Sequence, residues 1–447
     1  MKLRASWLSA VGLVALGIVG FSTSGHALGL PDPFNYDMGP LGNWALSGGV
    51  SGIASIWNND ATNSNAAIPH TNSSTQADIT ADNAMVIINK TDGQLQFTTW
   101  LGLPPNTPVM GYTSTNVSPN LHGLCGKTGS DTCLNATGQA SPLFKGYFTY
   151  QPIEWFSLQA GRLPSPDGTE VGVDWFNPTA FVSDLNNMQT TVGDGGQINL
   201  ITPGAWDKIA WLPHYGSTLT IRLADGYKTG RPNELGFTGL WNLTSDGSDN
   251  IIGFGHTRLH TVGYVTGDSS TDVGPVAGFG TVNANLIGFG GAYVIGNFTI
   301  SPEIEYQWLP KDSLSGPNAP LTTYSNTAMQ VTVTYQINSR WSVGTQAQYI
   351  TQHGDRADPN ADAYGNFLGL NTSAAGGVPG TFGPGSDMFG IQVNPTWQFH
   401  NFFVRPAIAY THLANFYSGD GYGNTGTQSD QWVGLVEVGF LIGQRAD

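Results

Sequence analysis

The sequence predicts an all-β protein: a transmembrane, antiparallel, up-and-down β-barrel of about sixteen strands. Three observations support this fold class. Apolar and polar residues alternate with a period of two over most of the chain, which is typical of strands with one apolar and one wet face. Short turns alternate with long polar loops, as in outer-membrane barrels. Charged residues are only 11% of the sequence, against about 25% in a typical soluble protein.

The N-terminus has the features of a cleavable export signal. A basic start precedes an apolar stretch from Leu8 to Phe21, and the small residues Gly25 and Ala27 stand at positions −3 and −1 of a cleavage site. A signal peptide is therefore predicted at 1–27, followed by a single barrel domain over 28–447. The cleavage site disfavours an uncleaved anchor helix, and no later stretch is apolar for the ~18 residues that a spanning helix needs.

Composition excludes several classes of protein. Lys and Arg number 16 against 31 Asp and Glu, and the net charge is −15, so a basic nucleic-acid binder is excluded. The mean hydropathy of −0.13 and the period of two argue against a helical membrane protein and a coiled coil. An exported β protein remains, either a barrel in the outer membrane of a Gram-negative bacterium or a soluble sandwich or solenoid that binds polysaccharide.

Sixteen strands are predicted from the alternation, which is unbroken over 329–337. An even number places both termini on the periplasmic side. Fourteen or eighteen strands stay open as alternatives, because residues 204–280 give the weakest pattern. The predicted strands are 43–57, 82–89, 94–102, 142–151, 154–163, 195–203, 217–226, 234–244, 249–258, 281–295, 297–309, 326–337, 340–352, 386–399, 401–413 and 430–442.

The breaks between the predicted strands are of two kinds. Short turns are predicted at 89–93, 151–154, 295–297, 337–340 and 400–401. Long polar loops are predicted at 58–81, 103–141, 164–194, 310–325, 353–386 and 414–429. Short turns on one side and long loops on the other are the pattern of outer-membrane barrels, whereas so many long loops would be unusual in a compact soluble domain.

Two cysteines lie in one of the long loops. Cys125 and Cys133 stand in a segment rich in Gly, Ser and Thr. In an oxidising compartment we expect them to form a disulfide that closes a small loop. A zinc site is disfavoured, because no further Cys or His motif stands nearby.

A family resemblance is carried by residues between Trp155 and Leu200. Trp155 to Glu170 read WFSLQAGRLPSPDGTE, in which an AG(K/R) strand end leads into a G-x-E loop; residues 174–178 (DWFNP) and 195–200 (GGQINL) follow. This part of the chain resembles the OmpL-like outer-membrane β-barrel porins. Many outer-membrane barrels end on an aromatic residue, whereas here Phe440 is followed by seven further residues.

The inward strand faces carry a small set of charged residues among Gln, Asn, Thr, Ser and Gly. Charge on the lipid face would cost roughly 2–4 kcal/mol near the bilayer midplane for a basic residue, so these residues are predicted to line the lumen. As an alternative, they pair across the wall and only stabilise the barrel. The candidates are Lys145, Arg222, Glu303, Glu305, Arg405 and Glu437.

The loop 164–194 is the candidate constriction, because it follows the fifth predicted strand, where trimeric general porins fold a loop into the lumen. It contains five acids and neither Lys nor Arg, which would favour cations at a narrow point. The alternative is a solvated extracellular loop. Trp175 and Phe176 favour a buried loop. The five acids are Asp167, Glu170, Asp174, Asp184 and Asp194.

No catalytic residue, metal site or cofactor is predicted. The sequence lacks the G-x-S-x-G and H-E-x-x-H motifs, and no serine is marked as a partner for His353 and Asp355. Residues 358–362 lack the glycine and the bidentate glutamate of a calcium loop.

The resemblance implies a porin, a water-filled channel for passive diffusion of small hydrophilic solutes or ions, with a preference for cations if the loop constricts it. The implied partners are outer-membrane lipid, the solutes and, by analogy with porins of this size, two further copies in a homotrimer; nucleic acid is not expected. The alternative function is a non-conducting structural or surface-display barrel whose long loops bind partners.

Overall fold

The computed structural model of the chain describes residues 28–59, 75–103, 110, 143–165, 167–170, 173–183, 185, 189, 193–202, 215–225, 234–258, 285–311, 322–355, 385–416, 421–423 and 427–444. Three sequence predictions lie outside these residues. They are the signal peptide at 1–27, the disulfide between Cys125 and Cys133, and the position of Asp184.

Seventeen strands are described. All but the first, of four residues, and the sixth, of eight, have the roughly nine residues or more that a tilted strand needs to cross a bilayer. Their bounds are β1 (Phe34–Asp37), β2 (Asn43–Asn58), β3 (Thr75–Lys90), β4 (Leu95–Leu103), β5 (Leu143–Ile153), β6 (Phe156–Leu163), β7 (Gly193–Thr202), β8 (Ser217–Asp225), β9 (Glu234–Asn242), β10 (Asn250–Arg258), β11 (Asn285–Ile295), β12 (Phe298–Leu309), β13 (Tyr324–Gln336), β14 (Trp341–His353), β15 (Asp387–Phe399), β16 (Phe402–Asn415) and β17 (Asp430–Ile442).

Strands β2 to β17 form a closed sixteen-stranded barrel. Each strand pairs antiparallel with the next in sequence, and β17 pairs antiparallel with β2, from Val433 opposite Trp57 to Ile442 opposite Gly48. Closure leaves no edge strand in the barrel, and lipid could not hydrogen-bond the unpaired N–H and C=O groups of such an edge. Within the described residues, no helix has the length and apolar character needed to cross a bilayer.

All sixteen predicted strands are confirmed, with two differences at the N-terminal end. β3 begins at Thr75 rather than at residue 82, because its polar first residues still pair with the end of β2, where Asn58 lies opposite Thr75. Cross-strand pairing thus extends a strand that composition predicts as loop. The short β1 was not predicted, since four residues cannot show a period of two; it pairs with β2 from Phe34 opposite Leu46.

The outer and inner faces of the strands differ in polarity, as a membrane barrel requires. In β13, Met329 and Val331 are 44% and 38% exposed on the outside, whereas Gln330 and Thr332 are 5% exposed on the inside. Apolar side chains therefore face outward and polar side chains inward along the strand. This arrangement, in a closed barrel, contradicts the alternative of a soluble β-sandwich, in which the apolar face would be turned inward.

Aromatic side chains cluster at both ends of the strands. Next to the β15–β16 turn, the Trp397 ring stacks on Phe399 and lies edge-on to Phe402. At the loop end, Tyr410 of β16 lies 4.5 Å from Trp432 of β17 between ring centroids. Outward aromatic groups at two levels are the girdles of a membrane barrel, where a ring with a polar edge meets the interface.

The core of the protein lies inside the barrel, around the chain that follows β6. We call the described residues of this part of the chain (164–165, 167–170, 173–183, 185 and 189) the interior segment. Three buried apolar clusters each include residues of this segment: Leu185 in the first, Trp175 and Phe176 in the second, and Phe181 in the third. The interior segment therefore packs against the inner wall rather than standing in solvent beyond the strands.

Candidate functional site

The first part of the interior segment is attached to β10 and β12. The Asp167 carboxylate contacts the His256 ring, with 2.8 Å between Oδ2 and Nδ1, and both side chains are fully buried. Thr169 donates its backbone N–H to the Glu303 carboxylate at 3.1 Å, and its hydroxyl contacts the same carboxylate. Gln189, further along the segment, donates to Glu303 at 3.0 Å and to Glu305 at 2.5 Å. Three carboxylates, those of Asp167, Glu303 and Glu305, therefore gather on one side of the lumen.

Glu170 joins the segment to itself and to β14. Its carboxylate accepts the Ser183 backbone N–H at 2.9 Å, the Ser183 hydroxyl at 2.5 Å and the Gln346 amide at 2.6 Å. Burial raises the pKa of Glu170 to about 7; the hydrogen bonds from Ser183 and Gln346 oppose that rise, and the nearby Glu303 adds to it. The segment is thus folded back on itself around a carboxyl group that titrates near neutral pH.

The middle of the segment contacts β15 and β16. Phe181 donates its N–H to Gln392 at 3.3 Å and accepts from the same amide at 2.8 Å. The Arg405 guanidinium donates to the carbonyl of Asn177 at 3.2 Å while its Nε donates to Glu437 at 2.7 Å. Backbone groups that would otherwise lack partners inside the barrel are thereby satisfied by wall side chains.

Two glycines on the inner wall let the segment approach closely. A Cβ added to Gly344 of β14 would stand 2.2 Å from the Pro178 carbonyl oxygen, and one added to Gly49 of β2 would stand 2.7 Å from the Trp175 ring. No side chain fits at these distances. The wall is therefore shaped for the segment at two separate strands.

All six charged residues predicted to line the lumen face inward, and each is at most 3% exposed. Arg222 pairs with Glu234 at 3.4 Å and Arg405 pairs with Glu437 at 2.5 Å between Nη2 and Oε2. For the two arginines, therefore, pairing across the wall is what the structure shows. Glu303 and Glu305 hold the segment, and the Lys145 ammonium lies 3.6 Å from the centroid of the Trp100 ring.

The five acids of the predicted constriction are not all in one place. Asp167 and Glu170 lie inside the barrel, and the Asp174 backbone begins a short 3-10 helix, Asp174–Phe176. Asp194 lies on the outer face near the start of β7, where it pairs with Arg162 at 3.0 Å. The period of two explains this position, because Asp194 shares a face with the exposed Ile198.

Sequence reasoning missed two parts of the site. A chain of amides links three strands: Gln346 donates to Gln330 at 2.9 Å, and Gln392 donates to Gln346 at 2.6 Å. The alternation had placed these glutamines inward, but nothing in it showed that they line up across β13, β14 and β15. The partner of Asp167, His256, was missed because a lone histidine in a strand carries no spacing signal.

The interior can act as a narrow polar passage. Carboxylates, amides and two ion pairs surround the segment, and among the described residues no group of three or more His, Cys, Asp and Glu side chains could hold a metal ion. Such a wall discriminates by size and by fixed charge rather than by reaction chemistry.

Residues 235–442 match a protein family described as "Putative beta-barrel porin-2, OmpL-like". The match does not overlap the motifs between Trp155 and Leu200 that predicted this family, so two separate parts of the chain point to it. The match confirms the predicted resemblance for residues 235–442.

Several solved porin structures are similar to this chain at low sequence identity. The anion-selective porin from Comamonas acidovorans is 11% identical over 89% of this chain and 99% of its own, with a TM-score of 0.49. The outer membrane channel DcaP of Acinetobacter baumannii is 11% identical over 90% and 97%, with a TM-score of 0.49. OmpF of Salmonella typhi, in complex with daunomycin, is 11% identical over 90% and 98%, with a TM-score of 0.46. The comparison with curated proteins finds no match.

Proposed function

We propose that this porin forms a passive channel for small hydrophilic solutes or ions, and that the interior segment sets its narrowest point. The observation that supports this proposal is the attachment of the segment to the inner wall of β10, β12, β14, β15 and β16 through polar side chains. A loop held inside a barrel by hydrogen bonds narrows the passage and brings its charges close to any solute.

We further propose a preference for cations. Asp167, Glu170, Glu303 and Glu305 lie together on one side of the lumen, while both wall arginines are paired with carboxylates. An excess of carboxylates at a narrow point attracts cations and repels anions, and the effect weakens with salt. Asp194 has no part in this proposal, because it lies outside the barrel.

The test is single-channel conductance of residues 28–447, refolded in detergent and added to a planar bilayer under a KCl gradient. Open steps with a reversal potential biased toward K⁺ support both the channel and the acidic constriction. Open steps without bias retain the channel and contradict the cation preference.

A second candidate function, a non-conducting structural or display barrel, is favoured by one observation. The six charged residues of the inner wall are at most 3% exposed, so the segment fills much of the lumen in this conformation. Protein that inserts into the bilayer, shows a folded band on unheated gels and never conducts would establish this second function and contradict the first.

The remaining expectations are also proposals. We propose export by a signal peptide cleaved after Ala27, a disulfide between Cys125 and Cys133, and a homotrimer in the membrane. N-terminal sequencing, intact mass with and without reductant, and mass photometry in detergent test these three proposals in turn.

A further inference from the structure

One buried cation in the lumen differs from the other two. Lys145 lies on the inward face of β5, directly opposite Trp100 of β4, and is 3% exposed. Its ammonium stands over the Trp100 ring, 3.6 Å from the centroid. Within the part of the chain that the structure describes, it makes no hydrogen bond and no ion pair, whereas Arg222 and Arg405 each have a carboxylate partner.

The groups next to Lys145 are also donors. The Trp100 indole N–H is buried without a hydrogen-bond partner among the described residues. The Tyr147 hydroxyl is also buried and lies within hydrogen-bond reach of the Thr98 side chain. Tyr147 is two residues from Lys145 on the same strand face. An ammonium, an indole N–H and a hydroxyl on two adjacent strands are complementary to an anionic oxygen acceptor, since lysine and indole can only donate.

The donor patch lies against the interior segment. Phe176 of the interior segment stacks on Trp100 at 5.3 Å between ring centroids. The patch on β4 and β5 stands across the barrel from β12 and β13, eight strands away in either direction. A solute that passes the segment would therefore have the carboxylates of Glu303 and Glu305 on one side and Lys145 on the other.

We propose that Lys145, supported by Trp100, is a binding site in the lumen for the carboxylate group of a permeating solute. This proposal rests on the proposed channel function. The ammonium supplies the charge, the indole ring fixes the position of the ammonium by a cation–π contact, and the indole N–H supplies a further donor. The acidic side repels the same group, so that a carboxylate is directed to the β4–β5 wall.

The test measures conductance in N-methylglucamine acetate, whose bulky cation carries little current, as the concentration is raised over a series of points that shows saturation. For the unsubstituted protein we expect saturation, because a bound acetate limits further transport. Lys145→Met removes the charge at nearly constant volume and should raise the half-saturating concentration about tenfold, the effect of one charge-assisted hydrogen bond. Lys145→Arg should stay within about twofold, since the charge is kept.

Lys90→Met is the matched control, because Lys90 lies beside the periplasmic turn and pairs with Asp92 at 3.1 Å. A shift in Lys145→Met no larger than in this control overturns the proposal, as does a linear acetate conductance in the unsubstituted protein. Lys145→Gln replaces the methionine variant if that protein does not insert. A protein that conducts KCl but fails the acetate test loses only this site; one that does not conduct KCl loses the channel function as well.

Discussion

The two sides of the lumen differ in the partners of their buried polar groups. On the side of β10 to β16, carboxylates and an arginine bind the interior segment, and each described contact has a donor and an acceptor. On the side of β4 and β5, Lys145 rests on an aromatic ring and its neighbours are donors. A buried polar group with a protein partner stabilises the fold, whereas one without such a partner is the better candidate for contact with solutes.

The largest expected effect compares two buried cations. Arg405→Met leaves the Glu437 carboxylate without its partner inside the barrel and should lower the free energy of unfolding by about 3–5 kcal/mol. Lys145→Met strands no carboxylate, so it should be neutral or stabilising by about 1 kcal/mol. Urea unfolding in lipid vesicles, followed by tryptophan fluorescence, measures both. Equal losses in the two variants would contradict the difference between the two sides.

The next effect concerns the pH dependence of the segment side. The pKa of Glu170 is raised from 4.5 to about 7, chiefly by burial, so the folded protein favours the protonated group. Its contribution to stability is complete below about pH 4.5 and is lost as the pH rises through 7, an effect of at most about 3 kcal/mol. Stability of attachment should therefore fall, and conductance rise, between pH 5 and pH 8.

Glu170→Gln should remove this part of the pH dependence, because the amide cannot ionise. Glu154→Gln, in the β5–β6 turn, is the matched control and should leave the pH profile unchanged. If Glu170→Gln retains the full slope of stability against pH, the neighbouring Glu303, Glu305, Asp167 and His256 carry the titration and Glu170 does not.

A third effect tests the fit between the wall and the segment. Gly344→Ala places a methyl group 2.2 Å from the Pro178 carbonyl oxygen, and overpacking of this kind costs about 1–3 kcal/mol. Because the segment can move away from β14, we also expect a higher single-channel conductance. Gly239→Ala is the control, since its nearest neighbour stands at 3.9 Å. A lower or unchanged conductance in Gly344→Ala would show that the segment does not narrow the passage.

The sequence predicts the wall of this protein far better than its interior. Alternation placed Gln330 and Gln392 inward, and the cost of charge in lipid placed all six charged residues there. The hydrogen-bond partners could not be predicted from the sequence. Thr169 and Glu303, or Phe181 and Gln392, are brought together only when the barrel closes around the segment. Asp194 was misplaced for a different reason: that a residue belongs to an acidic segment does not say on which face of a strand it lies.

The smallest effect concerns the contact between the N-terminal residues and the periplasmic end of β15. The Gln398 side chain accepts the N–H of Gly29 and donates to its carbonyl, both at 2.7 Å, and the adjacent Leu28 is buried in the same cluster as Trp100 and Trp175. Gln398→Ala should cost about 1 kcal/mol and release residues 28–31.

Hydrogen exchange at Gly29 measures this release, and Gln336→Ala, at an exposed position in β13, is the control. Faster exchange at Gly29 together with loosening of Trp175 would show that the N-terminal residues hold the interior segment on the Trp100 side. Faster exchange at Gly29 alone would mean that Leu28 only fills space, and that the segment depends on the carboxylates and amides of the opposite wall for its position.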